Sequence, residues 1–512
     1  MPGLEDAQGN AGPGRAARLT LRAVRLHQVA DALSGGVICF MVVFSPWAFG
    51  ATQPWSIWTM NVCGYVLGLL LLTKLYVRFH RGYRPARWGD ELKGTGFAAG
   101  KYLMVALAGF TALILGYCLL SALNARATYD VSQGNLVYHE CIRWLPHSYD
   151  SDSTWRIFWS YLALAFSFWA LRDWLLGHSA AETRSQRNVV NQHHRTASLP
   201  QRLSWLLWLL SLNGALLGGE SIAQRISGSN KLLWLMPTRL NREAVAQFGP
   251  YAYRANGAQY LNLVWPTTLG FWWVQHRAAR RRLNSAARTS GWRHTLLLPC
   301  VLVMASGPII STSRGGAIVT VAMMVAAALI LMFAMRRRHP IARFAMMLFL
   351  GAAFALGAYV GGDQLLDRMK EFGPNLALRE GIYETGRSMA RDYPLFGIGP
   401  GAFDPVFQIY WSSSPEESVS QLHNDWLETR VTFGWVGSSF IGSAFLLVLG
   451  RWFTRGGIRG VWPFVLLLWL ALAGCLVHAR FDFPLQIYSI LFVFLLVCAI
   501  LSTLSLRGST SD

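Results

Sequence analysis

Long apolar segments, each close to the length of a membrane-spanning helix, recur along the whole chain. A helix crosses the hydrocarbon core of a bilayer with about 20 residues. Backbone groups in lipid must be hydrogen-bonded within the chain, and these segments lack the alternation of barrel strands, so they predict helices. We expect an all-α integral membrane protein with about twelve transmembrane helices, at 29–50, 56–77, 102–122, 155–177, 203–219, 258–276, 295–311, 315–335, 341–361, 431–450, 461–479 and 484–505.

The composition agrees with a membrane protein. Hydrophobic residues make up 53% of the chain and charged residues only 14%, whereas a soluble domain has about 25% charged residues. The N-terminal tail carries Arg15, Arg18, Arg22 and Arg25 and has no early apolar core followed by a cleavage site. We therefore expect no signal peptide and a tail on the cytoplasmic side.

The net charge of +20 raises the alternative of nucleic-acid binding. In membrane proteins, however, Lys and Arg collect in the short cytoplasmic loops. If the N-terminal tail is cytoplasmic, every loop on its side should be basic, and each of them is. Orientation in the membrane therefore explains the charge, and we expect no nucleic-acid partner. The arginines of these loops are Arg78, Arg81, Arg84, Arg87, Arg184, Arg187, Arg195, Arg202, Arg280, Arg281, Arg282, Arg336, Arg337, Arg338, Arg451, Arg455 and Arg459.

This orientation divides the chain into five regions. We expect a cytoplasmic tail at 1–28, nine spans within 29–361, a periplasmic loop at 362–430, three spans within 431–505, and a cytoplasmic tail at 506–512. Loops longer than about 15 residues are usually functional or disordered. Aromatic residues and turn signals recur through 362–430, so we expect this loop to be ordered and partly helical.

Neither cysteines nor histidines indicate a metal site. Of the seven cysteines, only Cys141 lies in an outside loop, and no CxxC spacing is present there. The histidines form no HExxH pattern. We expect neither a metal ion nor another cofactor.

The end of the long loop combines polar side chains with the entrance to a span. Ser414, Pro415 and Glu417 fit the start of a helix, as N-cap, first helical residue and end of a capping box. Such a helix could carry His423 toward the bilayer surface, with Asn424 and Glu428 on one face. The alternative is a structural role, which is the usual one for a single histidine at a membrane entrance.

Many arginines lie in loops that this topology places outside. One or two could be interfacial residues whose side chains reach the headgroups. Such a number favours an anionic ligand on the outer face, because guanidinium groups match phosphate oxygens with two parallel hydrogen bonds. They are Arg225, Arg239, Arg242, Arg254, Arg314, Arg368, Arg379, Arg387, Arg391, Arg430 and Arg480.

The segment STSRGG, residues 311–316, forms a tight turn between two apolar spans. Its small residues would let backbone N–H groups approach a phosphate just before a helix begins, and Arg314 would supply charge beside Ser313. The alternative is a plain turn with one interfacial arginine. Arg379 and Arg387 could likewise form an ordinary solvated helix face.

Together, these motifs resemble the O-antigen ligase and O-antigen polymerase superfamily of bacterial membrane glycosyltransferases. Their order is STSRGG, then YPLFGIGPGAF at 393–403, LHNDWLETRVTFGWVG at 422–437 and VHARFDFPLQI at 477–487. The resemblance covers about 250–505. YRANGAQYLN at 253–262 resembles an arginine-bearing stretch of the family, although the usual Asn-Pro-Asn is absent, which leaves Arg254 as the match and Asn262 as a weak one.

The resemblance implies a C-type glycosyltransferase fold that acts at the periplasmic face of the inner membrane without a metal ion. The donor would be a glycan on undecaprenyl diphosphate, and the acceptor a sugar hydroxyl. His423 would be the general base, because histidine titrates near neutral pH, and arginines would neutralise the departing diphosphate. The candidate substrate-binding residues are Arg314, Arg254 and Arg379, followed by Arg387, Asn424, Glu428, Ser313, His478 and Asp482.

Several alternatives stay open from the sequence. Asp482 could instead form a structural ion pair with Arg480. The acceptor could be lipid A–core (a ligase, which we favour), a second lipid-linked glycan (a polymerase) or a protein hydroxyl. A lipid-linked oligosaccharide flippase would need ionisable residues near the membrane midplane and interrupted helices. Charges are scarce within these spans, and this scarcity favours an enzyme.

Overall fold

The computed structural model describes residues 21–88, 95–130, 132–179, 182, 199–238, 243–283, 292–335, 340–370, 372–411, 420–450 and 461–504. Helices dominate these residues, and each predicted apolar segment falls on a helix. In chain order they are α1 Leu21–Trp47, α2 Pro54–His80, α3 Thr95–Leu123, α4 Ser151–Leu176, α5 Gln201–Ser227, α6 Arg254–Leu283, α7 Leu297–Ile310, α8 Arg314–Ala334, α9 Pro340–Lys370, α10 Phe372–Asp392, α11 Phe403–Tyr410, α12 Asp425–Gly450, α13 Trp462–His478 and α14 Tyr488–Leu504.

The helices confirm an all-α membrane protein. Among the described residues, eight are long and apolar enough to cross a membrane, namely α1, α2, α3, α5, α8, α9, α12 and the helical segment Arg293–Ile310 that contains α7. α13 and α14 are apolar but shorter, and α4 and α6 are helices outside this group. The total of twelve spans therefore stays a prediction.

The non-helical elements are small. Strands β1 (Ala127–Asp130) and β2 (Asn135–Tyr138) pair antiparallel, with Ala127 opposite Tyr138. Strands β3 (Lys231–Leu232) and β4 (Met236–Pro237) form a second, shorter hairpin after α5. Short 3₁₀ segments cover Phe49–Ala51, Ala244–Ala246, Trp292–Leu296 and Pro484–Gln486.

Helix α6 lies at the centre of the helical core. Every residue from 255 to 274 is buried, as expected for a helix that other helices surround on all sides. It packs against α5, α7, α8, α13 and α14. Buried Asn262 donates to the Gly316 carbonyl at 3.3 Å and accepts from Thr320 at 2.7 Å. The centre of the core therefore fixes the first turn of α8, where Arg314 begins the helix.

Helix α12 is broken at Gly434, whose φ of 60° and ψ of −165° are not helical. Residues 394–399 pair with the backbone groups that the break leaves open. The Ile398 N–H donates to the Val431 carbonyl at 2.9 Å, and the Trp435 N–H donates to the Pro394 carbonyl at 3.0 Å. A break within a membrane helix is tolerated when protein groups satisfy the backbone in this way.

The glycine-rich motif at 393–403 is therefore a support for α12. A Cβ atom at Gly397 would clash with the Val431 carbonyl, so only glycine fits this approach. Tyr117 of α3 donates to the carbonyl of Phe396 and to that of Phe433. The loop and α3 together hold the first half of α12, which follows His423 directly.

A network of largely buried charged side chains joins α1, α2 and α4 near their predicted cytoplasmic ends. The fully buried Lys74 lies 2.9 Å from Asp173 and 3.3 Å from Asp31. Asp173 also accepts from Arg78 and Arg87, each at 2.6 Å. Buried charges persist only when they are paired, and each of these contacts joins opposite charges. Charges were expected to be scarce within the predicted spans, so this network was not anticipated from the sequence.

Candidate active site

His423 lies immediately before α12, in the non-helical residues 420–424. Its φ of 53° places it in the left-handed region, which is uncommon for a residue other than glycine. Tyr383 of α10 donates to the His423 carbonyl at 3.0 Å. The expectation that a helix carries His423 is therefore wrong, because the backbone turns there before the helix begins. The predicted helix start at Ser414 to Glu417 lies outside the described residues.

The imidazole of His423 contacts Asp482, in the loop between α13 and α14. Nδ1 of His423 lies 3.1 Å from Oδ1 of Asp482. The imidazole is 29% exposed and the carboxylate 7%, so the carboxylate is inside and the imidazole reaches the surface. Phe483 meets the imidazole edge-on with centroids 5.0 Å apart, and Tyr253 stacks on Phe483 at 5.5 Å.

The second carboxylate oxygen of Asp482 has its own neighbours. Tyr253 donates its hydroxyl to Oδ2 at 3.1 Å, and Nε2 of His478 lies 3.8 Å away. The structure thus pairs Asp482 with two histidines rather than with Arg480, which is exposed. Burial and the Asp482 carboxylate raise the pKa of Tyr253, so its hydroxyl remains a donor.

Asp482 is held in its ionised form. Burial alone would raise the pKa of this carboxyl, but the hydrogen bond with His423 and the nearby imidazole of His478 hold its pKa well below the usual range. An ionised carboxylate only accepts hydrogen bonds. Nδ1 of His423 must therefore be the donor, and in the neutral ring this leaves Nε2 with a free lone pair.

The three residues at the start of α12 position this loop. Asn424 caps the helix, because its Oδ1 accepts from the Leu427 N–H at 3.1 Å. Glu428 accepts from the N–H of Leu422, next to His423, at 2.9 Å. Buried Asp425 accepts from the Leu485 N–H at 2.8 Å and donates its own N–H to the Ala479 carbonyl at 2.8 Å. These contacts fasten the two loops of the site to each other.

The hairpin between α7 and α8 reaches the same cluster. Ser313 is the N-cap of α8 and accepts from the Gly316 N–H at 3.2 Å. Arg314 is half-buried and donates to the Arg368 carbonyl at 3.2 Å. A Cβ atom at Gly315 would lie 3.5 Å from Nε2 of His478. The hairpin therefore lies close to His478, which in turn lies beside the Asp482–His423 pair.

Arg254 and Arg225 organise the loop before α6. Arg254 donates to the Val245 carbonyl at 2.6 Å. Arg225 of α5 donates to the Gln247 carbonyl at 2.8 Å and to the Ser311 carbonyl at 3.1 Å. The loop, α5 and the hairpin are thus joined through carbonyl groups. Arg239 and Arg242 lie outside the described residues.

The two arginines of α10 have different surroundings. Arg379 donates to the Phe481 carbonyl at 2.9 Å, next to Asp482. Arg387 forms a 3.3 Å ion pair with Glu380, and both side chains are about half exposed, at 49% and 61%. The structure therefore brings Arg379, but not Arg387, into contact with the loop of Asp482.

Tyr253 and Asp425 were not expected in this cluster from the sequence, and Arg368 was named only as one of the outside arginines. Tyr253 directly precedes Arg254, and Asp425 directly follows the His-Asn pair, so both stood inside motifs that had been recognised. Their contacts join segments far apart in the chain, as in the Tyr253–Asp482 pair, 229 positions apart. Local patterns do not report such contacts.

Arginine side chains give this site positive charge. In the part of the chain that the structure describes, no three His, Cys, Asp or Glu side chains are grouped so that they could hold a metal ion. The guanidinium of Arg379 contacts the loop of Asp482, and Arg314 begins the helix that follows the hairpin. The charge of Arg368 acts on Tyr253. The arrangement offers a hydrogen-bonded histidine beside cationic groups, which suits proton transfer next to an anionic leaving group.

Comparison with known protein families gives one result that bears on this site. Residues 299–442 match the family model described as O-antigen ligase. The match runs from α7 into α12 and includes the arginine hairpin, Arg379 and His423. A comparison with curated proteins finds no match.

Proposed function

We propose, from the match that makes residues 299–442 a domain of the O-antigen ligase and polymerase superfamily, that the protein is an inverting membrane glycosyltransferase. It transfers a glycan from undecaprenyl diphosphate to a sugar hydroxyl at the periplasmic face of the bacterial inner membrane. We favour lipid A–core as the acceptor, which makes the protein an O-antigen ligase of lipopolysaccharide biosynthesis.

The observation that carries this proposal is the contact between His423 and Asp482. With Nδ1–H donated to the carboxylate at 3.1 Å, Nε2 accepts the proton of the acceptor hydroxyl as general base. The acceptor oxygen forms the new bond to the anomeric carbon while the bond from that carbon to the diphosphate oxygen breaks. Attack from the opposite face inverts the anomeric centre, and the leaving diphosphate keeps the bonding electrons.

The leaving group requires positive charge, and in this proposal arginines supply it. Arg314, Arg254 and Arg379 contact the diphosphate, and Ser313 caps the helix that begins at Arg314. A guanidinium carries five N–H donors, so the carbonyl contacts of Arg254 and Arg379 leave them able to bind phosphate oxygens as well. Preorganised cations stabilise charge that develops in the transition state.

The remaining candidates have supporting roles in this proposal. Asp482 fixes the tautomer and the direction of His423, and Asn424 and Glu428 hold the backbone around it. His478 lies between Asp482 and the hairpin. Arg387, which is on the same helix as Arg379 but paired with Glu380, is a lower-ranked glycan contact.

Deletion of the gene, with analysis of the glycoconjugates, tests the function. A ligase deletion should remove polymeric glycan from lipid A–core while the undecaprenyl-linked polymer accumulates. Loss of chain length with single repeats still attached would instead identify a polymerase, and loss of protein-linked glycan would identify a protein glycosyltransferase. Unchanged glycoconjugates would exclude all three.

Complementation with His423→Ala tests the mechanism. Removing a general base lowers the rate by about 10²–10⁴-fold, so this variant should insert normally but restore almost no product. His139→Ala is the matched control, because His139 is an exposed histidine that directly follows β2. Purified protein should also stay active in a chelator; recovery that requires magnesium would overturn the metal-free mechanism.

A further inference from the structure

The β3–β4 hairpin presents three consecutive large apolar side chains at its tip. Trp234 is 43% exposed, Leu235 75% and Met236 54%. Leu233 and Trp234 have φ values of 52° and 59°, a region that glycine or asparagine normally occupies in such turns. Non-glycine residues there cost energy and are often tied to function. The turn therefore keeps large apolar side chains at positions where glycine would give less backbone strain.

The hairpin is attached to the last turn of α5. The indole N–H of Trp234 donates to the Ser227 hydroxyl at 2.9 Å. The side-chain amide of Gln224 donates to the Lys231 carbonyl at 2.7 Å. These contacts hold the tip of the hairpin against the last turn of α5. They also place it on the side of the candidate active site, because Arg225 of the same turn donates to Ser311.

Helix α5 has an exposed apolar stripe that ends at this hairpin. Trp205, Leu212, Leu216 and Ile226 are exposed by 70%, 46%, 67% and 69%, and at 3.6 residues per turn they fall within an arc of about 80°. In a spanning helix such a stripe faces lipid. Ser227, which holds Trp234, lies at the edge of the same arc.

The length of α5 sets the depth of the hairpin. Its 27 residues extend about 40 Å at 1.5 Å per residue, whereas the hydrocarbon core is about 30 Å thick. The apolar segment of α5 ends at 219, and the polar residues Glu220, Gln224 and Arg225 follow it. The extra length is therefore at this end, and the last turn lies in the headgroup region. A tip that folds back onto this turn lies within reach of the acyl chains, and the exposed Lys231 lies at the level of the lipid phosphates.

We propose that the hairpin Lys231–Pro237 is a membrane-interface anchor, with phospholipids of the outer leaflet as its partner. Leu235 and Met236 contact the acyl chains, and Trp234 lies at headgroup depth, where tryptophan is enriched in membrane proteins. Apolar side chains beside a basic residue are typical of segments that lie in the interface. This inference does not depend on the reaction proposed above.

Nitroxide labelling in nanodiscs of phosphatidylethanolamine and phosphatidylglycerol tests the proposal. The label is placed by Leu235→Cys, and separately by Met236→Cys, in the full-length protein whose four native cysteines that are not buried are replaced by serine, namely Cys39, Cys63, Cys141 and Cys300. Glu384→Cys on the exposed face of α10 is the control. At 235 and 236, the ratio of relaxation by oxygen to relaxation by a water-soluble nickel chelate should be several-fold higher than at 384.

Each other outcome contradicts the anchor. A ratio at 235 and 236 equal to that at 384 would mean that the tip lies in water. Protection from both reagents would mean that another protein surface covers the tip. Two label positions keep the result decisive if one variant folds poorly, which gel filtration in detergent detects.

Discussion

At the scale of single residues, a variant of Asp482 tests whether this carboxylate orients His423 as a base. The side-chain amide that Asp482→Asn introduces could donate as well as accept a hydrogen bond. It would therefore no longer hold the proton of His423 on Nδ1, and the ring would lose its fixed tautomer. We expect turnover to fall by about 10²–10⁴-fold, the range of a general base, with little change in KM. Asp367→Asn is the control, since Asp367 is 73% exposed in a surface ion pair. Equal kcat values for both variants would remove Asp482 from the mechanism.

Asp482 also makes stability depend on acid pH. Its pKa in the folded protein lies below the usual value of about 3.9. A lowered carboxyl pKa stabilises the folded state above the unfolded-state pKa, and this contribution is lost as pH falls toward the folded-state pKa. The Tm of the wild type should therefore drop more than that of Asp482→Asn between pH 5 and the lowest pH that the detergent sample tolerates. Parallel curves would contradict this assignment.

Substitution of Arg314 by lysine tests whether its positive charge alone is enough or whether the planar guanidinium is needed. If it binds diphosphate oxygens, Arg314→Lys keeps the charge but loses the planar pair of donors. Hydrogen bonds to charged groups contribute roughly 1.5–3 kcal/mol, so one lost bond lowers kcat/KM by about 10- to 150-fold at 1.36 kcal/mol per tenfold. Arg81→Lys, at an exposed position on the predicted cytoplasmic side, should be silent. Wild-type rates for both variants would leave Arg314 an interfacial anchor.

The sequence indicated candidate residues for the site but not the contacts between them. His423 and Arg314 stand in short local motifs, so their residue types and spacing were informative. The shared use of Asp482 by His423, His478 and Tyr253 depends on loops that only the fold brings together. For the same reason, the sequence could not decide between Arg480 and the histidines as neighbours of Asp482.

At the scale of elements, the break in α12 is the feature with the clearest consequence. The φ and ψ of Gly434 belong to a region that only glycine occupies readily, and a Cβ there would clash with the Leu395 carbonyl. Gly434→Ala should destabilise the protein by about 1–3 kcal/mol, seen as a lower Tm. Gly442→Ala, in the same helix with open space around it, should be neutral or stabilising. If the two variants unfold alike, the break does not depend on glycine.

The positions of the helices were predictable because twenty-residue apolar segments have one physical solution in a bilayer. Their ends were less so: α9 continues to Lys370, beyond the predicted end at 361, and α12 begins at Asp425 rather than at 431. Polar helical turns that extend past the hydrocarbon core carry no hydropathy signal. The break at Gly434 escaped prediction because one glycine within an apolar run is common and its cause lies in the distant residues 394–399.

At the scale of the whole molecule, the polar groups divide between the two ends of the helical core. The paired charges around Lys74 and Asp173 join α1, α2 and α4 at one end. The cluster of His423, Asp482 and the arginines lies at the other end, where loops from α6, α8, α10 and α13 meet. A network of paired opposite charges suits a structural role, whereas a histidine that is partly exposed suits proton exchange with a substrate.

The orientation of these two ends can be tested by labelling single cysteines. Glu380 lies next to Arg379, which contacts Phe481, and one turn from Tyr383, which contacts His423, so its side of the membrane is that of the site. Basic loops on the opposite side predict that this side is periplasmic. With Cys141→Ser, Glu380→Cys should react with an impermeant maleimide in intact spheroplasts. Arg81→Cys should react only after lysis. The reverse pattern would place His423 in the cytoplasm and exclude a periplasmic transfer reaction.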